Sequence, residues 1–194
     1  MKIDIILAGV GGQGILSIAS TIGYAAIDMG LFLKQSEVHG MSQRGGDVQS
    51  HLRISDKEIA SDLIPFGKAD LIISVEPMES LRYLPMLSKD GWLITNTTPF
   101  ININNYPEID VLMSKINSLK QHIALDADTI AKDLGASRSA NMVILGAAAP
   151  FLKIAYEIFE NAIRNIFKNK GEEVIAINIA ALKAGKEFTE QNIK

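Results

Sequence analysis

The stretch that decides the fold runs from Ile3 to Gly14 and reads IDIILAGVGGQG. Its first part is almost entirely apolar, which is typical of a strand buried on both faces in a parallel sheet. The glycine motif Gly9-x-Gly11-x-x-Gly14 follows directly. After it, apolar residues recur at spacings of three and four over residues 15–29, which predicts a helix. A strand, a glycine turn and a helix in this order are typical of an α/β fold that binds an anion at the start of the helix.

Beyond this stretch, short apolar runs alternate with helical patterns, as they do in α/β proteins. We therefore predict a single Rossmann-like α/β domain over residues 1–194, with a mostly parallel sheet and helices on both faces. Little strand signal remains after residue 139, so residues 139–190 are predicted to form a C-terminal helical extension. The predicted strands cover residues 3–8, 31–38, 48–54, 70–75, 91–96 and 122–125, and the helices cover 15–29, 77–87, 108–118, 126–134, 139–151, 154–168 and 171–188.

The C-terminal helices carry a broad apolar set that includes Phe151, Ile154, Ile158 and Ile163. Two interpretations of this set are open. These side chains pack against the sheet of the same chain, or another subunit covers part of their surface.

The composition excludes several classes of function. Nineteen Lys and Arg residues against 22 Asp and Glu residues give a net charge of −3, so there is no basic surplus for binding nucleic acid. The chain has no cysteine, which excludes disulfides, thiolate zinc sites and cysteine-held iron–sulfur clusters from this chain alone. The three histidines show no metal-binding spacing. With no signal peptide and no transmembrane segment recognisable, we expect a soluble, cytoplasmic protein without membrane contact.

A second glycine-rich stretch, HGMSQRGG, runs from His39 to Gly46. In it Arg44 precedes two glycines, which combines a guanidinium group with exposed backbone amides and suits phosphate or carboxylate. If the first and second strands are parallel neighbours, both glycine loops lie at the carboxyl edge of the sheet, where open α/β folds bind ligands. Arg44 could instead pair with a nearby acidic side chain or with a partner chain.

The residues alone leave the nature of the ligand open. Glu76 ends a predicted strand, where it could make a polar contact with a ligand or cap the following helix. A dinucleotide site requires an acidic residue after the second strand, and Glu37 is the only good candidate. A nicotinamide or flavin site and a glycine turn with no nucleotide are therefore both possible. Because we find no nucleophile motif, P-loop or triad, we assign no catalytic residue to this chain.

Several motifs together resemble a known family, the gamma-type subunits of 2-oxoacid:ferredoxin oxidoreductases. The likeness is strongest to the small (beta) subunit of indolepyruvate:ferredoxin oxidoreductase, and it covers nearly the whole chain. The motifs that carry it are AGVGGQG from Ala8 to Gly14, SEVHGMSQRGG from Ser36 to Gly46, Ile64-Pro65 through Leu71, Glu76-Pro77 with Glu79 to Tyr83, Ala131 to Gly135, and NMVILG from Asn141 to Gly146.

The resemblance implies an accessory subunit of an enzyme that oxidatively decarboxylates a 2-oxoacid, indolepyruvate or another aryl pyruvate, to an acyl-CoA and passes the electrons to ferredoxin. It places thiamine diphosphate and 4Fe-4S clusters in a large alpha subunit, with coenzyme A as co-substrate and no cofactor assigned to this chain. An isolated subunit could self-associate through surface meant for its partner. The alternatives are a freestanding Rossmann-type nucleotide-binding module, an NAD(P)-dependent oxidoreductase, or a regulatory protein that kept only the fold.

The resemblance also places the two glycine loops at a subunit interface or near the channel for coenzyme A or substrate. The candidate residues for binding an anion, coenzyme A or a neighbouring subunit are Gly9, Gly11, Gly12, Gln13, Gly14, His39, Arg44, Gly45, Gly46 and Glu76.

Overall fold

A computed structural model describes residues 1–39 and 45–193, the side chain of His39 excepted. Its strands and helices follow the alternation expected from the sequence. The strands are β1 (Lys2–Val10), β2 (Phe32–His39), β3 (Asp47–Ser55), β4 (Ala69–Ser74), β5 (Leu87–Asn96) and β6 (His122–Leu125). The helices are α1 (Ile15–Asp28), α2 (Pro77–Arg82), α3 (Ile109–Asn117), α4 (Ala127–Asp133), α5 (Ala140–Ala148), α6 (Tyr156–Phe167) and α7 (Glu172–Asn192).

The six strands form one sheet in the order β2-β3-β1-β4-β5-β6. Strands β1, β4, β5 and β6 pair in parallel, whereas β3 is antiparallel to both β1 and β2. The predicted mostly parallel α/β fold is thereby confirmed. The idea that the first and second strands are neighbours is wrong, because β3 lies between them. The connection from β2 to β3 is too short for a crossover helix, so these strands can pair only as an antiparallel hairpin.

Helices cover both faces of the sheet, and alternate residues of the central strands point to opposite faces. In β1, Ile5 and Leu7 join the larger core, formed with α1 and α4 to α7. Ile6 points the other way into the smaller core, formed with α2, α3 and the segment before β4. Because β1 is buried on both faces, it carries a nearly continuous apolar sequence. In the described parts of the chain, no helix combines the length and apolar character needed to cross a bilayer.

The C-terminal helices pack within the chain, with α5 and α7 in close backbone contact. A Cβ atom added to Gly146 of α5 would lie 1.9 Å from Leu182 O, and one added to Gly185 of α7 would lie 1.9 Å from Val143 O. Of the C-terminal apolar set, Ile154 and Ile163 are buried. In the described structure from α5 to the end of α7, no large apolar side chain is mostly exposed. This distribution favours packing on the sheet over cover by another subunit.

The contact between α5 and α7 makes Gly185→Ala a sensitive test of the packing. The added methyl group would enter the space of the Val143 carbonyl, so the helices must separate. We expect the free energy of unfolding to fall by about 2 kcal/mol or more, even though alanine is the better helix former. Urea unfolding measures this change.

Ala180→Ser is the matched control, because it adds a single atom at an exposed position of the same helix. Its free energy of unfolding should change by less than about 0.5 kcal/mol. Equal stability of Gly185→Ala and the wild type would contradict the close packing of α5 on α7.

Candidate functional site

The carboxyl edge of the parallel strands holds a cleft of about 390 Å³ between the first glycine loop and the start of α5. The first turns of α1 and α5 both line it, so two helix N-termini contribute to its wall. The lining residues are Gly12, Gln13, Gly14, Ser17, Val75, Asn96, Asp128, Ser137, Arg138, Ala140, Asn141 and Ile144.

The first glycine loop requires glycine for two different reasons. Gly9 is packed against the end of β4, since a Cβ atom there would lie 2.3 Å from Val75 Cγ2. Gly12 and Gly14 have φ values of +101° and +83°, in the left-handed region that favours glycine. The Gln13 side chain closes the loop, with Oε1 accepting a 2.8 Å hydrogen bond from Val10 N. Gly14 then occupies the N-cap of α1, which receives no hydrogen bond from a capping side chain.

The two glycine loops meet through their backbones. Gly11 N donates to Gly46 O at 2.9 Å, and the side-chain Nδ2 of Asn102 donates to Gly45 O at 2.7 Å. Gly45 and Gly46 thus lie at the same edge as the first glycine loop although β1 and β2 are not neighbours, because β3 begins beside the end of β1. His39 ends β2. Its side chain and Arg44 lie outside the described residues, so the structure does not locate these two candidates.

Glu76 takes the helix-capping role. Its side chain is fully buried, and Oε2 accepts a 2.8 Å hydrogen bond from Glu79 N at the start of α2. Oε1 accepts from Phe100 N at 3.3 Å and from the Tyr106 hydroxyl. Burial, together with the hydrogen bond to Glu76, raises the pKa of the Tyr106 phenol above its usual range. Both carboxylate oxygens therefore accept hydrogen bonds from protein groups. Glu76 is not among the residues that line the cleft, and it holds the neighbouring segments in place.

Sequence reasoning missed two asparagines that join separate elements at the cleft. Asn96 Nδ2 donates to Asp128 Oδ2 at 2.7 Å and to Val75 O at 3.3 Å, which links the ends of β5 and β4 to α4. Asn141 Nδ2 donates to Gly14 O at 3.1 Å across 127 positions of sequence. Asn96 could have been found as the polar end of a buried strand. Asn141 lies in a family motif, but nothing local places it beside Gly14.

Arg138, also missed, is the only arginine or lysine among the described residues that line the cleft. Its side chain is exposed and forms no ion pair within the described part of the chain, while the Asp128 carboxylate, which lines the same cleft, accepts a hydrogen bond from Asn96 Nδ2. Arg138 also lines a neighbouring cleft of about 500 Å³ beside α7. Backbone amides, side-chain amides and one guanidinium group suit the binding of an anionic group.

No histidine lines the cleft, so the described wall lacks the usual general base for a serine nucleophile. Across residues 1–39 and 45–193, no group of three His, Cys, Asp or Glu side chains could hold a metal ion. The geometry supports binding and positioning of a ligand or of a protein partner.

Comparison with known proteins identifies relatives of the chain. Residues 4–188 match the family described as Pyruvate ferredoxin/flavodoxin oxidoreductase. The chain is 36% identical over 194 residues to Indolepyruvate oxidoreductase subunit IorB of Archaeoglobus fulgidus, a match that covers 95% of this chain and 94% of that protein.

Solved structures share the fold. The gamma subunit of the keto/oxoacid ferredoxin oxidoreductase of Geobacter sulfurreducens matches with a TM-score of 0.72 and 25% identity, over 97% of this chain and 99% of that one. The 2-oxoglutarate:ferredoxin oxidoreductase of Magnetococcus marinus, solved with 2-oxoglutarate, coenzyme A and succinyl-CoA bound, matches with a TM-score of 0.79 and 22% identity. The whole of this chain spans only 32% of that longer chain.

Glu76→Gln tests the hydrogen bonds that the buried Glu76 carboxylate accepts. In Glu76→Gln, one of the two acceptor positions becomes an amide donor, which must face either Glu79 N or the pair formed by Phe100 N and the Tyr106 hydroxyl. A buried donor is then left unpaired, and we expect the free energy of unfolding to fall by about 2 kcal/mol. Urea unfolding measures the loss.

Glu108→Gln provides the matched control, since Glu108 is exposed and makes no side-chain cap to α3. It should leave stability within about 0.5 kcal/mol of the wild type. If the two substitutions had the same effect, the proposed hydrogen-bonding role of Glu76 would be wrong.

Proposed function

The chain belongs to the pyruvate ferredoxin/flavodoxin oxidoreductase family, and from this membership we propose that it is the small subunit of an indolepyruvate-type 2-oxoacid:ferredoxin oxidoreductase. The observation that carries the proposal is the end-to-end likeness to the indolepyruvate oxidoreductase subunit of Archaeoglobus fulgidus. A cleft lined by Arg138 and by the start of α1, which has no side-chain cap, supports a binding role for the chain within such a complex.

In the proposed complex, a 2-oxoacid and coenzyme A yield an acyl-CoA and carbon dioxide, and two electrons pass to ferredoxin. The substrate is indolepyruvate or another aryl pyruvate. Thiamine diphosphate and 4Fe-4S clusters supply the chemistry from a large alpha subunit. The chain's own chemistry fits this division, because it has no cysteine to ligate a cluster. We place the complex in the cytoplasm.

The part assigned to this chain is binding at the carboxyl edge. The start of α1 has no side-chain cap, and Arg138 lines the same cleft as this helix N-terminus. Such groups stabilise a phosphate or carboxylate that approaches them. We propose that the two glycine loops contact coenzyme A or the large subunit, two roles that a substitution in the second loop can separate.

The alternative of an NAD(P)-dependent enzyme is less compatible with this sheet. In a dinucleotide-binding fold, the second strand of the chain pairs in parallel with the first and carries an acidic residue at its end. Here the antiparallel β3 occupies the position next to β1, and Glu37 lies one strand further out, on β2 opposite Ser50. The geometry therefore favours a subunit role over dinucleotide binding.

Affinity purification of the tagged chain from its native cells, without oxygen, tests the proposal. We expect a large subunit that contains iron–sulfur clusters and thiamine diphosphate to co-purify, and the eluate to oxidise indolepyruvate in a coenzyme A-dependent reaction with a viologen acceptor. A chain that elutes alone and binds NAD(P) tightly would contradict the proposal.

Arg44→Ala tests whether the second glycine loop serves coenzyme A. If its guanidinium group contacts the coenzyme, the KM for coenzyme A should rise about tenfold or more while the complex stays assembled, since a charge-assisted hydrogen bond contributes roughly 1.5–3 kcal/mol. Arg164→Ala, at an exposed position of α6, is the control. An unchanged KM with the complex intact would leave only an interface role for the loop.

A further inference from the structure

The loop that follows β5 has an unusual composition for a surface segment. We call residues 97–107, TTPFININNYP, the edge loop, and it contains no charged residue. Three of its apolar side chains are exposed, with 72% of Ile101, 43% of Phe100 and 42% of Ile103 accessible. The loop therefore offers an apolar, uncharged surface to whatever lies beyond it.

The edge loop is held in place by hydrogen bonds to the end of the sheet. Glu76 accepts from Phe100 N at 3.3 Å and from the Tyr106 hydroxyl. At the middle of the loop, Asn102 Nδ2 donates to Gly45 O at 2.7 Å. The loop is thus ordered while its apolar side chains face outward. Because the loop backbone is already held before contact, binding a partner costs less conformational entropy.

The edge loop differs from two other groups of exposed apolar side chains. Leu63 and Phe66 are also exposed, but they lie in a segment rich in charge, DKEIASDLIPFGK over residues 56–68, at the opposite edge of the sheet. Tyr24 and Ile27 on α1 line a cleft that also contains the charged residues Asp28 and Lys168. Buried centres of protein interfaces are depleted of charge and enriched in aromatic residues, which fits the edge loop best.

We propose that the edge loop is the surface on which the large subunit docks, through an apolar and uncharged patch of that partner. This inference rests on the proposed function. A partner that placed a charged group against Ile101 would leave that charge desolvated and unpaired, so the partner's patch must be uncharged. In the Magnetococcus marinus neighbour the same fold is one part of a longer polypeptide, in keeping with a fold used inside a larger assembly.

If the large subunit docks on the edge loop, the cleft beside the first glycine loop lies close to the interface between the two subunits. The edge loop contacts Gly45, whose neighbour Gly46 accepts the hydrogen bond from Gly11. The large subunit would therefore approach the edge that carries both glycine loops. The cleft beside them would lie at or next to the interface between the two subunits.

Ile101→Asp tests the proposal in the complex itself. The side chain is mostly exposed, so the substitution should leave the fold intact while placing a charge at the centre of the interface. We expect recovery of the large subunit on the tagged chain, purified without oxygen, to fall at least tenfold. The melting temperature of isolated Ile101→Asp should stay within about 2 °C of the wild type. The conservative variant Ile101→Val should recover the large subunit as well as the wild type does.

Phe66→Asp is the matched control, because Phe66 is 77% exposed at the opposite edge of the sheet. It should recover the large subunit within twofold of the wild type. Full recovery with Ile101→Asp, or equal losses with both aspartate variants, would overturn the docking surface and leave the proposed function standing.

Two further results would also overturn the docking surface. If Ile101→Asp converts a dimer of the isolated chain to a monomer while the large subunit is still recovered, the edge loop binds a second copy of this chain and the proposal is wrong. If the wild-type chain itself recovers no large subunit, the proposed function fails, and the docking surface fails with it.

Discussion

A buried carboxylate organises the edge of the sheet on which the proposed function depends. Glu76 lies two residues after the end of β4, and its two side-chain oxygens accept hydrogen bonds from the start of α2 and from Phe100 and Tyr106 of the edge loop. Removing a carboxylate from water is costly unless its oxygens are satisfied, and here three donors converge on them. One side chain thereby ties a helix start and an apolar loop to the same strand end.

The second constraint is the antiparallel strand inserted next to β1. In a sheet wound only by crossover helices, the connection after the second strand would lead away to another layer of the fold. Because β3 lies beside β1, the residues just before β3 reach the glycine loop, where Gly11 N donates a hydrogen bond to Gly46 O. The edge loop then reaches the same segment through Asn102. Three segments far apart in sequence thus form one surface.

The sequence predicts local structure well and long-range contacts poorly. The apolar run of β1 and the helical spacing after Gly14 are local patterns, and the structure contains both elements. The condition that β1 and β2 are parallel neighbours does not hold, and no local pattern reveals this because strand order depends on the whole sheet. The bond from Asn141 to Gly14 spans 127 positions, so no local pattern indicates it. Glu76 was identified as a polar strand end, but its partner Tyr106 lies 30 positions away and only the fold reveals the pair.

Hydrogen–deuterium exchange, measured on the isolated chain and on the chain bound to its large subunit, would show which edge of the sheet meets the partner. Amides buried in an interface exchange more slowly, and the comparison needs no substitution. If the carboxyl edge faces the large subunit, protection should increase in residues 97–107 and in the glycine loop at residues 9–14. It should stay unchanged over residues 56–68 at the opposite edge. Protection confined to α6 and α7, with none at the edge loop, would contradict this arrangement.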